Sequence, residues 1–253
     1  MELLKVQGLC KCYPRFTLQD VSFSVSSGRI MGLIGKNGAG KSTTLKALLH
    51  MVCPDAGTIR LLGRDFPREE IACKQDLGVV LGAIDYYPNK KLADITAVTR
   101  LFYPRWDEAA YRRCLDRFEL DEKKRVNQLS DGMRVKYHIA LALSHHARLF
   151  ILDEPTSGLD PVARDELLGL FLQLVKSGER SVLFSTHITS DLDRCADDIT
   201  YLHRGRVLLS APKDVFCAAF EPLREPGETG SLPLEAILVR TERRETDNAP
   251  FDL

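Results

Sequence analysis

The chain has 253 residues, enough for a sizeable core and for one α/β domain carrying an inserted subdomain, or for two small domains. Its 35 Lys and Arg balance 35 Asp and Glu, so no net charge favours a polyanion and nucleic acid is not expected as a partner. No run of about twenty apolar residues occurs and the N-terminus lacks an apolar signal core, so any membrane role is expected to come through a partner. The seven cysteines are odd in number and scattered, without the spacing of a zinc site or a disulfide framework, and read as reduced thiols. Cys10-Lys11-Cys12 fits a strand with both thiols on one side better than a metal clip.

Residues 3 to 28 read as short strands, with Val21, Phe23 and Val25 alternating against Ser22, Ser24 and Ser26. They predict an antiparallel layer, which Thr58 to Leu62 would close ahead of Gly63. Arg29 to Ile34 reads as a buried strand, and Leu45, Leu48, Leu49 and Val52 fall on one helical face. Leu77 to Leu81 predicts a buried parallel strand. From about Lys91 to Arg125 the chain turns charged and helix-like, with Tyr111, Leu115 and Phe118 at helical spacing after Trp106-Asp107. Val135, Ile139 and Ala142 mark another helix, and Leu149 to Leu152 an unbroken apolar strand. Pro161 stands where a helix begins, with Leu167, Leu170, Phe171 and Leu174 as its buried face. Strands follow at 181–185, 199–202 and 207–209, and their alternation with helices predicts a largely parallel sheet covered on both faces. Residues 221 to 230 read as a linker, Leu232 to Val239 as a short apolar segment, and the chain from Arg240 as a mobile charged tail.

Between the strand at 29–34 and the helix after it, Gly35 to Ser42 matches G-x-x-x-x-G-K-[ST], the phosphate-binding loop, in the context that motif requires. Gly35, Asn37, Gly38, Ala39, Gly40 and Thr43 supply backbone N–H groups for phosphates, Lys41 a cation for the terminal two, and Ser42 a hydroxyl for Mg²⁺. The expected ligand is a nucleoside triphosphate. Asp153 and Glu154 end the strand at 149–152, where open α/β sheets bind ligands. Asp153 suits the Mg²⁺ shell, directly or through water, and Glu154 suits a base for the attacking water.

Asp153-Glu154-Pro155-Thr156-Ser157-Gly158-Leu159-Asp160, preceded by Leu129-Ser130-Asp131-Gly132-Met133 and followed by His187, resembles the ATP-binding cassette (ABC) ATPases, the nucleotide-binding subunits of ABC transporters. The resemblance covers roughly residues 1 to 215 and looks most like single-cassette exporters. It implies a phosphate-loop NTPase cassette of α/β class: a mainly parallel core sheet, an N-terminal antiparallel β layer and an inserted α-helical subdomain. It implies ATP and Mg²⁺ as cofactors. Tyr13 resembles the aromatic that stacks on adenine, although Tyr-Pro after a strand is also a common turn. Ser130, Asp131, Gly132 and Met133 resemble the signature that meets the ATP of an opposite subunit, so a second cassette, identical or different, is implied. Ser157, Gly158, Leu159 and Asp160 resemble the loop across that seam, and His187 the switch residue at the terminal phosphate.

Two departures stand out. Asp131 and Met133 replace a Gly and a Gln of the usual signature, and Asp131 is expected to cap its own helix. Gly82 stands where the family carries a glutamine that helps hold Mg²⁺ and transmits movement, which leaves hydrolysis rate and coupling open, with Asp85 a candidate to substitute through water.

The expected division is 1–90, the first part of the catalytic core; 91–145, the helical subdomain with the signature; 146–220, the second part of the core; and 221–253, a C-terminal linker and tail. A separate transmembrane permease is the implied partner, at the cytoplasmic face of the membrane. The aromatic segments 85–88 and 102–107 lie near its expected contact, with Trp106 equally suited to packing the helical subdomain. The alternatives are a slow nucleotide-gated regulatory cassette and a soluble cassette ATPase of repair or translation.

Overall fold

Apolar and polar residues alternate along two long strands, β1 (Glu2–Tyr13) and β2 (Phe16–Ser26), which pair antiparallel across a turn at Pro14-Arg15. The expectation of short strands is corrected here: register slips, among them one between Val6 and Leu9, absorb the breaks in pattern and let each strand run on. The computed structural model describes residues 1–81, 87–225, 227–228 and 230–247. After β2 the chain forms β3 (Ile30–Ile34) and α1 (Lys41–Leu48), then β4 (Ala56–Leu61), the short β5 (Arg64–Asp65), α2 (Glu70–Lys74) and β6 (Leu77–Leu81). Helix α1 stops before Val52, because His50 turns into a left-handed conformation with φ +57°.

The helical part comprises α3 (Leu92–Thr99), α4 (Glu108–Arg117) and α5 (Asp131–Ser144). Asp107 caps α4 by accepting from the Ala110 N–H at 2.9 Å. The chain then alternates through β7 (Leu149–Asp153), α6 (Pro161–Val175), β8 (Ser181–Ser185), α7 (Thr189–Cys195), β9 (Asp198–His203) and β10 (Arg206–Pro212). It ends in α8 (Lys213–Ala219) and α9 (Leu234–Asp247). Pro161 takes the first turn of α6, where its missing N–H has no intrahelical partner to lose.

Strands β1, β2, β4 and β5 form one antiparallel sheet in the order β2-β1-β4-β5. The other sheet runs β10-β9-β3-β8-β7-β6, parallel except for β10, which returns antiparallel along β9. Successive side chains of a strand point to opposite faces, and here they feed two cores. Met31, Leu33, Leu149, Ile151, Leu183 and Leu202 pack with α1 and the antiparallel layer. Ile30, Ile34, Phe150, Leu152, Val182, Phe184 and Tyr201 pack on the other face with Tyr111, Tyr137, Leu167 and Phe171 of the helices.

The tail departs from expectation. Residues 234 to 247 form one helix, with Leu234 and Ile237 in the core and Arg240 ion-paired to Glu228 at 2.5 Å. That pairing holds the Glu228 carboxyl down at about 2. Trp106 packs 5.4 Å from Tyr111, with its indole N–H donating to Glu108 at 3.1 Å, which matches the packing reading. Tyr103 stacks on His145 at 3.7 Å, whereas Phe102 stays 68% exposed. Gly82, Asp85 and Tyr86 lie outside the described residues.

Candidate nucleotide site

Three parallel strands deliver the site at their C-terminal ends, where side chains and helix N-termini converge. Strand β3 runs into the phosphate loop. Gly35, Gly38 and Gly40 take φ of +153°, +84° and +110°, which side-chain-bearing residues rarely adopt. A Cβ at Gly35 would sit 2.2 Å from the Leu202 carbonyl oxygen, and one at Gly40 would sit 2.7 Å from the Phe16 ring. The loop then opens α1, whose first N–H groups have no intrahelical acceptors and carry the positive end of the helix dipole.

Lys41, the first residue of α1, is buried. Its ammonium donates to the Gly35 carbonyl at 2.7 Å and lies 3.8 Å from Glu154 Oε1. Burial lowers its pKa, while the carboxylates of Glu154 and Asp153 pull the other way.

Strand β7 brings up the two carboxylates. Asp153 pairs in register with Ser185 of β8, whose hydroxyl donates to Asp153 Oδ1 at 2.5 Å. Glu154 leaves the strand in a left-handed conformation with φ +50°, and its N–H donates to the carbonyl and the hydroxyl oxygen of Ser185, both at 3.1 Å. That turn aims the carboxylate at Lys41 on one side and His187 on the other. His187, two residues past the end of β8, donates from Nδ1 to Glu154 Oε2 at 2.6 Å.

Lys41, Glu154 and His187 line a cleft of about 780 Å³, whereas Gly35, Ala39 and Asp153 are not among its lining residues. Asn37, Gly38, Gly40, Ser42 and Thr43 of the loop and α1 also line it, as do Tyr13 and Phe16 of β1 and β2. Tyr13 is 40% exposed, so its ring is available to a ligand. Arg15 and Phe16 also line the cleft and were not singled out from the sequence; their signal is proximity in the β1–β2 turn to Tyr13. No cluster of three His, Cys, Asp or Glu suited to a metal occurs among the described residues. Mg²⁺ keeps most of its waters and takes one or two protein oxygens plus phosphates, so the Ser42 hydroxyl and the Asp153 carboxylate fit it as a donor set.

The signature residues do not line this cleft. Ser130, not Asp131, caps α5, its hydroxyl accepting from the Met133 N–H at 3.3 Å. Asp131 instead occupies the first turn and pairs with Arg134 at 3.1 Å, because only Ser130 has the extended backbone of a cap. A Cβ at Gly132 would meet Leu159 and Ala163 at ordinary contact distances, and one at Gly158 would lie 3.7 Å from Asp131, so the signature and the loop 157–160 form one patch. Asp160 caps α6, accepting from Val162 and Ala163 at 2.9 and 3.0 Å. The Ala163 and Val162 N–H groups hold its carboxyl below the usual range.

The family model described as ABC transporter matches residues 18–157, spanning the phosphate loop, the signature and both carboxylates. The chain belongs to the ABC transporter family. This cassette is 33% identical over 216 residues to the lantibiotic transport ATP-binding protein SrtF of Streptococcus pyogenes, covering 84% of this chain and 92% of that protein. It is 35% identical over 205 residues to the Nod factor export ATP-binding protein I of Mesorhizobium japonicum, covering 79% and 60%. A solved ATP-binding subunit of an ABC transporter superposes with a TM-score of 0.82 at 30% identity, over 95% of this chain and 99% of that one. The cassette is therefore a transport ATPase, binding ATP on a phosphate-loop fold.

Proposed function

We propose that this cassette hydrolyses Mg²⁺-ATP in the cleft between α1 and the ends of β7 and β8, as one of two cassettes that close on each other and drive a separate permease. The observation that carries the reading is the convergence of Lys41, Glu154 and His187, at 3.8 and 2.6 Å, on the N-terminus of α1. In this assignment the N–H groups from Gly35 to Thr43 hold the phosphates, Lys41 neutralises the β- and γ-phosphates, and the Tyr13 ring stacks on adenine. Ser42 and Asp153 would hold Mg²⁺, which would supply charge neutralisation to the phosphates. The Glu154 carboxylate takes a proton from the attacking water as its oxygen bonds to the γ-phosphorus and the bond to the β-bridging oxygen breaks, releasing ADP and phosphate. His187 orients that carboxylate through Nδ1 and faces the terminal phosphate.

Ser130 to Met133 serve the ATP of the opposite cassette, and Ser157 to Asp160 line the seam. Their position outside the chain's own cleft supports this reading, as does the exposure of Ser130 and Asp131 at the N-terminus of α5. No described helix is long and apolar enough to cross a membrane, so transport requires a membrane-embedded partner. The exposed Val98, Leu101 and Phe102 at the end of α3 form an apolar contact for that permease, with the cassette at the cytoplasmic face. The name of the Nod factor export relative supports export as the direction.

Glu154→Gln tests the assignment. The amide keeps shape and ATP binding but takes no proton, so turnover of the assembled transporter should fall about 10²- to 10⁴-fold while a closed cassette dimer accumulates with ATP. Unchanged steady-state hydrolysis would remove Glu154 from the role of base.

A further inference from the structure

The phosphate loop leans on a neighbour that no motif names. Strand β9 lies beside β3, with Tyr201 opposite Ile34, the residue before Gly35. Gly35 packs against the Leu202 carbonyl so closely that a Cβ would stand 2.2 Å away. Past the end of β9, the Gly205 N–H donates to the Ala39 carbonyl at 3.0 Å. The loop is thus braced at its start and near its end by one stretch, Leu202 to Gly205.

The opposite face of that stretch is held by the C-terminal helix. Tyr201 and His203 share a face of β9, opposite to Leu202, and both are buried. The Tyr201 hydroxyl donates to Glu242 Oε1 at 3.2 Å, and His203 Nδ1 donates to the same oxygen at 2.8 Å. Glu242 projects from α9, which is itself seated by Leu234 and Ile237 in the core and by Arg240 on Glu228. A charged acceptor serving two buried donors is costly to remove, because the donors are left without it.

We propose that Glu242 is a positioning residue for ATP: by fixing Tyr201 and His203 it sets the end of β9, and with it the spacing of the phosphate loop's N–H groups around the β- and γ-phosphates. The C-terminal helix thereby tunes nucleotide affinity without touching nucleotide. This rests on the assignment of residues 35 to 43 as the phosphate site.

The test is equilibrium titration of the full-length chain with ATP and Mg²⁺, alongside thermal midpoints. Glu242→Ala should weaken ATP affinity about 3- to 10-fold, since the brace loosens but the loop's own groups remain. Glu242→Gln should return affinity to within about twofold of the parent, because its amide oxygen accepts from the same two donors. His203→Ala should reproduce the loss, and the double variant should bind no more than about twofold weaker than Glu242→Ala alone, as expected for partners in one contact. Leu232→Ala, in the core ahead of α9 rather than on the helical face that carries Glu242, should lower the midpoint with affinity unchanged.

Parent-like affinity in a folded Glu242→Ala chain overturns the proposal. So does an equal loss in Leu232→Ala at equal midpoint, which would mean general loosening. Lys41→Ala separates the two readings: if it binds ATP normally the phosphate site itself is misassigned, and if it loses binding while Glu242→Ala does not, only the brace fails.

Discussion

Replacing Lys41 by Ala removes the buried cation placed to act as countercharge in the cleft. Its ammonium is buried and stands 3.8 Å from Glu154, with Asp153 also close enough to raise its pKa. The desolvation of this cation is therefore already met in the folded chain. A phosphate oxygen at about 4 Å from it gains about 4 kcal/mol at an effective dielectric of about 20. Against this, the ammonium exchanges its hydrogen bond to the Gly35 carbonyl, worth about 1 kcal/mol net. The remainder, about 3 kcal/mol, corresponds to about a 100-fold rise in the dissociation constant for Mg²⁺-ATP. The Glu154 and Asp153 charges, no longer offset, push in the same direction. Equilibrium titration reads the constant directly, and the ATP-dependent rise in thermal midpoint gives a second reading, which the variant should match only at about 100-fold higher nucleotide. A folded Lys41→Ala chain binding ATP within about threefold of the parent would refute the reasoning, and with it the assignment of the loop.

Tyr13→Ala should weaken ATP binding by about 1 kcal/mol if the ring stacks on the base, and Tyr13→Phe should be nearly silent; parent-like titrations for both would move the base elsewhere. His145, buried beneath the Tyr103 ring, has its pKa pushed down to about 4 from 6.5. The unfolded chain takes up this proton between those values while the folded chain does not, so stability is whole above about pH 6.5 and declines toward pH 4. By pH 5 the loss from this group is about 2 kcal/mol, and denaturant midpoints for His145→Phe, which keeps the ring stack, should show a shallower decline; an identical slope would remove His145 from the account.

The phosphate loop was legible because its chemistry is local: three glycines, a lysine and a serine at fixed spacing report a backbone that only they permit. The buried strands were legible because each is apolar on both faces, between an antiparallel layer and a helical one. What escaped depends on distant partners. The Glu154–His187 contact joins residues just past the ends of two different strands, and the register of β7 with β8 brings them together. The charge pattern after Arg240 looked like a tail because its stabilising contacts, Glu228 and the β9 side chains, lie outside any local window. Asp131 misled for a smaller reason, since Ser130 beside it is an equally good cap and its backbone took the role.

The position of β8 between β3 and β7 has a consequence for how such a molecule diversifies. Two strand spacings, about 10 Å, separate the loop that cradles phosphate from the turn that bears the carboxylates. Side chains reaching inward from both ends, Lys41 and Glu154, close that gap to 3.8 Å. The gauge is set by backbone hydrogen bonds across three adjacent strands, and the long excursion through α3, α4 and α5 leaves and re-enters the sheet beyond it, between β6 and β7. With docking through the end of α3 as proposed, insertions and surface changes in that excursion would alter the partner face without rescaling the 3.8 Å between Lys41 and Glu154, so an adaptor face can be rewritten while the engine stays in tolerance.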